Sequence, residues 1–415
     1  MVAMPERSAV AVAHRAGSGG YRRLTVALYG AGLASFAAMY CTQALLPALS
    51  AAYRITPAAA ALTVSLTTGM LALSIIPASV LSERYGRITV MLSSGVACSA
   101  IGLLLPFSPT LGVLLAGRAV QGVALAGIPA VAMAFLAEEV HASSLGSAMG
   151  RYIAGTTVGG LTGRIVPSLV VEAGNWRIAL FVCSLTTLAG TVVFAGLVPR
   201  SRFFTPKATD VRTTMRGLAA HLRNPLLLKL FGVGFVLMGG FVTVYNYLGY
   251  RLTGRPFELT SSAVGLLFLL YLVGTWTSVA AGRLADRRGR ALVLGGALPV
   301  SLAGLLLTVP HALGAIIVGV GVFTGAFFAA HTVASGWVGA VVRQDRAEAS
   351  ALYLFSYYLG GSVAGALGGL LYRVGGWPAT VCFVGALLLT GASMVASLVR
   401  GASAVGARTP VGPAS

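Results

Sequence analysis

The sequence predicts an all-α membrane protein, with twelve transmembrane helices arranged as two pseudo-symmetric six-helix bundles. Three observations lead there: a composition unsuited to a water-facing surface, twelve apolar runs of spanning length, and paired motifs about 200 residues apart.

Of 415 residues, 57% are hydrophobic and only 9% charged, with a mean hydropathy of +0.87. Soluble domains carry about 25% charged residues. So few charges cannot clothe a chain of this size in water, and its solvent is largely lipid. The formal net charge of +19 raises nucleic acid as a partner. The basic residues, however, sit in short breaks between apolar runs, as membrane orientation requires, and form no stripe interleaved with aromatics. Nucleic-acid binding is excluded on that placement. Cys41, Cys98, Cys183 and Cys382 all lie in apolar runs without CxxC or Cys/His metal spacing, so they read as small buried side chains. HExxH, GxSxG and Walker signatures are missing. The expectation is therefore a non-enzyme without metal or cofactor.

In chain order, the sequence divides into a polar tail (1–23), a first bundle (24–198), a cytoplasmic linker (199–225), a second bundle (226–398) and a tail (399–415). The run from Leu24 to Ser50 is too long for a signal-peptide core and stays as span one. A crossing needs about 20 apolar residues. The other spans are read at 58–81, 88–107, 109–136, 146–170, 178–198, 226–249, 260–282, 291–309, 312–341, 349–372 and 376–398. Within the linker, Met215, Leu218 and Leu222 recur at helical spacing beside basic residues. A surface-lying amphipathic helix and an unstructured linker are equal readings of so short a pattern.

With the N-terminus inside, the outer breaks hold five basic residues, Arg54, Arg177, Arg251, Arg255 and Arg373. Arg118, Arg151, Arg164 and Lys229 fall within spans, and the remaining 20 of 29 are cytoplasmic. That positive-inside bias puts both termini in the cytoplasm of a cell whose inner (plasma) membrane the chain crosses many times. The halves also repeat. SVLSERYGR (79–87) and GRLADRRGR (282–290) stand 203 residues apart, AGNW (173–176) and VGGW (374–377) 201, and Gly159-Gly160 and Gly360-Gly361 again 201.

Each charged loop pairs an acid with a glycine turn and arginines: Glu83, Arg84, Gly86 and Arg87 in the first, Gly282, Asp286, Arg287, Gly289 and Arg290 in the second. Such a set can latch neighbouring helices at the cytoplasmic face. Simple enforcement of orientation is the alternative, less favoured because the pattern occurs twice.

On these residues the chain resembles the major facilitator superfamily. Gly282–Arg290 matches that family's loop motif in full, whereas the first copy has Ser79 for its glycine and Glu83 for its aspartate. Leu115–Gly122 resembles its RxxQG motif, and Gly155, Gly159, Gly160 and Gly163 resemble its glycine-rich antiporter motif. Gly160 stands there in place of a proline and Arg164 in place of the last glycine. FVTVYNYLGYRL (241–252), FFAAHTVASGWVG (327–339) and LYLFSYYLGGSVAG (352–365) resemble the YnfM-like branch of exporters. The resemblance implies export of a small-molecule substrate by a monomer, with the proton gradient as energy source. A proton-independent facilitator of sugars or metabolites, and a non-transporting receptor with a transporter fold, are the rival readings.

Arg118 lies about ten residues into span four, roughly 15 Å deep. A guanidinium there costs about 2.5–3.5 kcal/mol on insertion scales, so it is expected to face inward and paired, as a pathway residue or a structural hydrogen-bond hub. Gln121 is one turn away. Arg164 lies nearer the outer end, and pathway residue and snorkelling anchor are equal readings. No Asp or Glu falls inside a span. His331 is then the titratable candidate for proton exchange, set against a satisfied core histidine. Helical spacing groups Tyr40 with Gln43, Thr243 with Asn246, Tyr271 with Thr275, and Tyr353 with Ser356 and Tyr357 as a polar, aromatic lining. Ordinary interhelical bonding is the plainer account of each. Gln43 and Asn246 are 203 residues apart, the same offset as the loops, and read as equivalent positions of the two halves.

Overall fold

The structure is a computed structural model that describes residues 13–206, 211–342 and 346–406. The extremes of both tails (1–12 and 407–415), 207–210 of the linker and 343–345 lie outside the described residues. Among the described residues every regular element is helical. Spans one to six are Gly19–Tyr53, Pro57–Tyr85, Arg87–Phe107, Leu111–Glu139, Ala142–Ala173 and Trp176–Leu197. The second half runs through Pro225–Thr253, Ser261–Arg288, Arg290–Leu306, Leu313–Val341 and Arg346–Gly406. The last stretch is two spans, because Gly375 and Gly376 leave helical geometry, Gly376 with a φ of 60°. Nine helices of the described residues are long and apolar enough to cross a membrane, the last stretch counting once. Its division at Gly375, the shorter Arg290–Leu306 and the Arg-bearing Ala142–Ala173 bring the crossings to twelve.

Side-chain caps begin many spans at the turns. Thr56, Thr110, Asn175, Asn224 and Thr260 each accept from backbone N–H groups two or three residues on. Those N–H groups would otherwise be orphaned at a helix start. Between the halves lies a helix, Val211–Leu222, so this part of the linker is not unstructured. Of its apolar stripe only Leu218 is buried, while Met215 and Leu222 are exposed.

Spans one and seven are the most enclosed: 78% of the most apolar stretch of each is buried, against 28% in span eight. They therefore lie along the axis between the halves. Glycine makes the close approach to them possible. A Cβ on Gly155, Gly159 or Gly163 would collide with the carbonyls of Tyr29, Leu33 and Ala37 on span one, one turn apart each time. Gly360 meets the Phe235 carbonyl of span seven in the same way. Small residues of this kind let membrane helices pack backbone to backbone.

We call the side carrying residue 13 and the connection between the halves the terminal face. There His14 N donates to Glu139 O (2.9 Å) and His141 N to His14 O (3.0 Å). The Glu139 carboxylate accepts from Ser201 Oγ, Arg202 N and Phe203 N, tying the start of the linker to the end of span four. Cys41, Cys98 and Cys183 are buried as expected; Cys382 is not, and faces outward from span twelve.

Candidate functional site

The site begins with a break in span one. Its helix stops at Tyr40 and resumes as a 3-10 turn at Gln43–Leu45, just before Pro47, which has no N–H to give the Gln43 carbonyl and crowds it. Arg118 supplies a second cause, one turn earlier. Its Nη1 donates to Ala38 O and its Nη2 to Met39 O, both at 2.8 Å, and these are the carbonyls that the N–H groups of Thr42 and Gln43 would use in a continuous helix. Nε donates to Thr63 O at 2.9 Å, and Nη1 also contacts Gln121 Oε1 and Cys41 Sγ. Gln121 Nε2 in turn donates to Cys98 O (3.1 Å). The guanidinium is fully enclosed within the first half. Backbone carbonyls take three of the Arg118 donors and Gln121 shares the network, which is the geometry of the structural hydrogen-bond hub.

The break turns Gln43 toward the other half. Tyr40 and Gln43 thus do not share one continuous helical face, a correction to the spacing argument, yet both meet Arg164. Arg164 Nε donates to Gln43 Oε1 and its Nη1 to Gly160 O, each at 2.7 Å, and the guanidinium lies 3.8 Å above the Tyr40 ring. Tyr271 of span eight is 4.7 Å away on the other half. Arg164 is only 3% exposed, so the snorkelling anchor is corrected: the side chain turns into the seam between the halves. Gln43 Nε2 then donates to Asn246 Oδ1 at 2.8 Å. Two residues read as equivalents of one another meet directly, as residues on a pseudo-twofold axis must. Thr243 parts from Asn246, because its hydroxyl donates to Gly239 O and Ala364 O inside the second half.

Further bonds across the seam were not anticipated. Tyr250 Oη lies 2.6 Å from Ser50 Oγ and 2.8 Å from Leu46 O, Ser362 Oγ donates to Ser65 O (2.7 Å), and Ser262 N donates to Glu172 (3.0 Å). Tyr250 belongs to the 241–252 stretch singled out above; the serines carried no sequence signal. Among the described residues, the hydrogen bonds joining the two bundles fall from mid-span to the face opposite the termini. That side of the seam is closed. Toward the terminal face, Gly146 and Gly150 of span five and Gly336 and Gly339 of span ten have open space where a Cβ would stand.

From Arg164 an aromatic wall runs into the second half. Tyr271 packs against Phe241 (5.3 Å between ring centroids), which stacks on Phe327 at 3.8 Å. Phe327 stacks on His331, whose ring is 4.5 Å from Tyr357 and whose Nδ1 is 3.0 Å from Tyr353 Oη. Tyr353 is buried and His331 and Tyr357 half-buried, so spans ten and eleven bring these three together. Ser356 instead bonds Phe231 O of span seven (2.8 Å), away from the wall. Thr275, one turn past Tyr271, is exposed.

The two charged loops differ. Gly86 and Gly289 share left-handed turns, with φ of 96° and 90°. In the first loop Arg87 bridges Glu138 at the end of span four (2.8 Å), approaches Glu83 (3.9 Å) and donates to Ser82 Oγ (2.6 Å). Arg84 lies over the Tyr85 ring. In the second loop, which matches the motif in full, Asp286 makes no salt bridge with Arg287 or Arg290 among the described residues. The latch thus forms in one half, within that bundle.

Two helical bundles related by a pseudo-twofold, closed on one face around a buried cation and an aromatic wall, have the architecture of a two-bundle membrane transporter. The Major Facilitator Superfamily model matches residues 28–270 and 250–412. The chain is 40% identical to the inner membrane transport protein YnfM of Escherichia coli (strain K12), over 89% of this chain and 88% of that one. It is 39% identical to the MFS-type transporter YybF of Bacillus subtilis (strain 168), over 93% and 96%. Among solved structures, a bacterial homolog of the human lysosomal transporter Spinster, in an inward-facing and occupied conformation, superposes with a TM-score of 0.69 at 16% identity, covering 96% of this chain and all of that one. The peptide transporter POT gives 0.74 at 12% identity, over 95% and 97%. The chain belongs to the major facilitator superfamily, in its YnfM-like branch.

Proposed function

We propose that this protein exports a small molecule across the inner membrane by alternating access, in exchange for protons, as a monomer with both termini cytoplasmic. The carrying observation is the one-sided seam: bonds through Gln43, Asn246, Ser50 and Tyr250 close the face opposite the termini. The positive-inside count makes the terminal face cytoplasmic, so this is the inward-facing arm of the cycle. The moving bodies are the halves 24–198 and 226–398, and the loop latch at Arg87–Glu138 stiffens the first of them. Export is favoured by the 30% identity, over 38% of this chain, to a multi-drug resistance efflux pump, PmrA of Streptococcus pneumoniae. His331 carries the proton, held by Tyr353 beside the aromatic wall.

A second reading, a facilitator without proton coupling, is favoured by the absence of any carboxylate within the predicted spans. Solute flux in proteoliposomes under an imposed pH gradient separates the two. Flux that collapses with the gradient, and that His331→Phe uncouples, supports exchange; flux indifferent to both supports the facilitator. No flux of any compound in a broad screen removes the transporter reading itself.

A further inference from the structure

We propose that the transported solute is an organic anion, a carboxylate on an aromatic or apolar body, and that Arg164 receives its charge. The inference rests on the transporter reading above and names the substrate class of that site.

The first ground is charge. Arg164 is buried on the seam, and guanidinium groups do not deprotonate in proteins. Among the described residues no carboxylate forms a salt bridge with Arg164, so this cation has no counter-ion within the bundles. Its partners are neutral: an amide oxygen, a backbone carbonyl and aromatic faces. Arg118 also lacks an anion but is a poor comparison, since it is sealed inside one bundle and saturated by backbone carbonyls. Arg164 alone of the two sits where a solute crosses.

The second ground is the polarity of the relay, which the cation sets. Arg164 can only donate, so the Gln43 atom facing it is the oxygen. Gln43 therefore presents its N–H₂ to Asn246, and Asn246 receives with its oxygen. That leaves Asn246 Nδ2 a donor, buried and without a partner. Tyr271 Oη, on the residue whose ring faces Arg164, is likewise buried and without a partner. Orphaned buried polar groups are rare in native structures and call for an occupant. Here one cation and two unpartnered groups able to donate line the same seam. An ionised carboxylate accepts only, and is the complement of such a set. A cationic solute meets like charge at this point, and a neutral one leaves the guanidinium uncompensated. The aromatic wall from Tyr271 through Phe241 to Phe327 supplies the apolar half of the site.

The test is binding to the purified full-length protein in lipid nanodiscs, with probes that share a body and differ in charge: phenylacetate, phenylacetamide and phenethylamine, then the corresponding trio one methylene longer. Saturable binding of the acids is expected, the amides at least about tenfold weaker because a charge-assisted bond is lost, and the amines without effect. Arg164→Gln abolishes acid binding. Gln43→Glu, which sets a carboxylate against Arg164, abolishes it too, and serves where Arg164→Gln fails to fold. Amides or amines binding as well as acids, no acid binding at millimolar concentration, or acid binding retained in Gln43→Glu each overturns the proposal. Flux decides the broader reading separately. Acids bound but never moved in proteoliposomes keep Arg164 as an anion site and remove their transport; amines moved with no acid bound overturn the anion site and keep transport.

Discussion

Replacing Gln43 with leucine tests how the seam is held. The side chains are close in size, so packing survives while both polar links go. In the closed arrangement Arg164 Nε loses its 2.7 Å acceptor and Asn246 Oδ1 its 2.8 Å donor. Each buried group left unsatisfied costs about 1–3 kcal/mol, more for a charged one. When the halves part on that face, both groups meet water and the cost lapses. The substitution therefore penalises the closed state by at least about 2 kcal/mol, which moves the two-state equilibrium roughly 30-fold toward opening, at about 1.4 kcal/mol per factor of ten. Spin labels at Ala52 and Arg255, exposed residues of the two halves on the face opposite the termini, read the result as a distance distribution. The long-distance population should grow from minor to dominant. An unchanged distribution in a folded Gln43→Leu protein refutes the assignment of this relay as a clasp.

Other outcomes follow from the same geometry. Gly159→Leu drives a side chain into the Leu33 carbonyl and should abolish monodisperse protein, whereas Gly150→Leu, with open space at its Cβ, should elute as wild type in size-exclusion chromatography. Arg118→Met strands the carbonyls of Ala38 and Met39, and Arg118→Lys does not restore the fork; both should lower the unfolding midpoint, the methionine variant by the equivalent of about 2 kcal/mol or more at roughly 1–3 kcal/mol per stranded group. Acidification should loosen the N-terminal segment. Burial, with Arg202 adding to it and Glu139 opposing, holds the pKa of His14 below its ordinary 6.5. The docked state then binds fewer protons than the undocked one, so docking strengthens as pH rises to 6.5 and weakens as it falls below. The protection factors of the His14 and His141 amides, each taken against the intrinsic exchange rate at that pH, should fall under acid, and pH-independent protection would contradict this.

Much of the fold was legible because lipid imposes one simple rule, a long apolar run per crossing. Span five was read at 146–170 with the others, but its glycines could not say that they pack on the span-one backbone. The 203-residue offset singled out Gln43 and Asn246 as equivalents, though spacing could not say that they touch. The break in span one was half legible: Pro47 marks it in the sequence, but the capture of the Ala38 and Met39 carbonyls by Arg118, 75 or more residues on, is tertiary. Depth along a helix likewise places an arginine but not its direction. It set Arg118 and Arg164 at plausible levels, yet only packing shows that the first is enclosed and the second faces the other half. Ser65–Ser362 and Ser50–Tyr250 pair across the seam through hydroxyls that read, one at a time, as ordinary interhelical residues.

Glu172 and Ser262 face one another across the closed seam, bonded at 3.0 Å, with the Glu172 side chain open to solvent. Cysteines at both positions, joined by a short bifunctional thiol reagent, would clamp that face shut. Solute flux in proteoliposomes should stop on bridging and return when the bridge is reduced. Sustained turnover by fully bridged protein would mean that the halves do not part there, and the alternating-access account would be wrong.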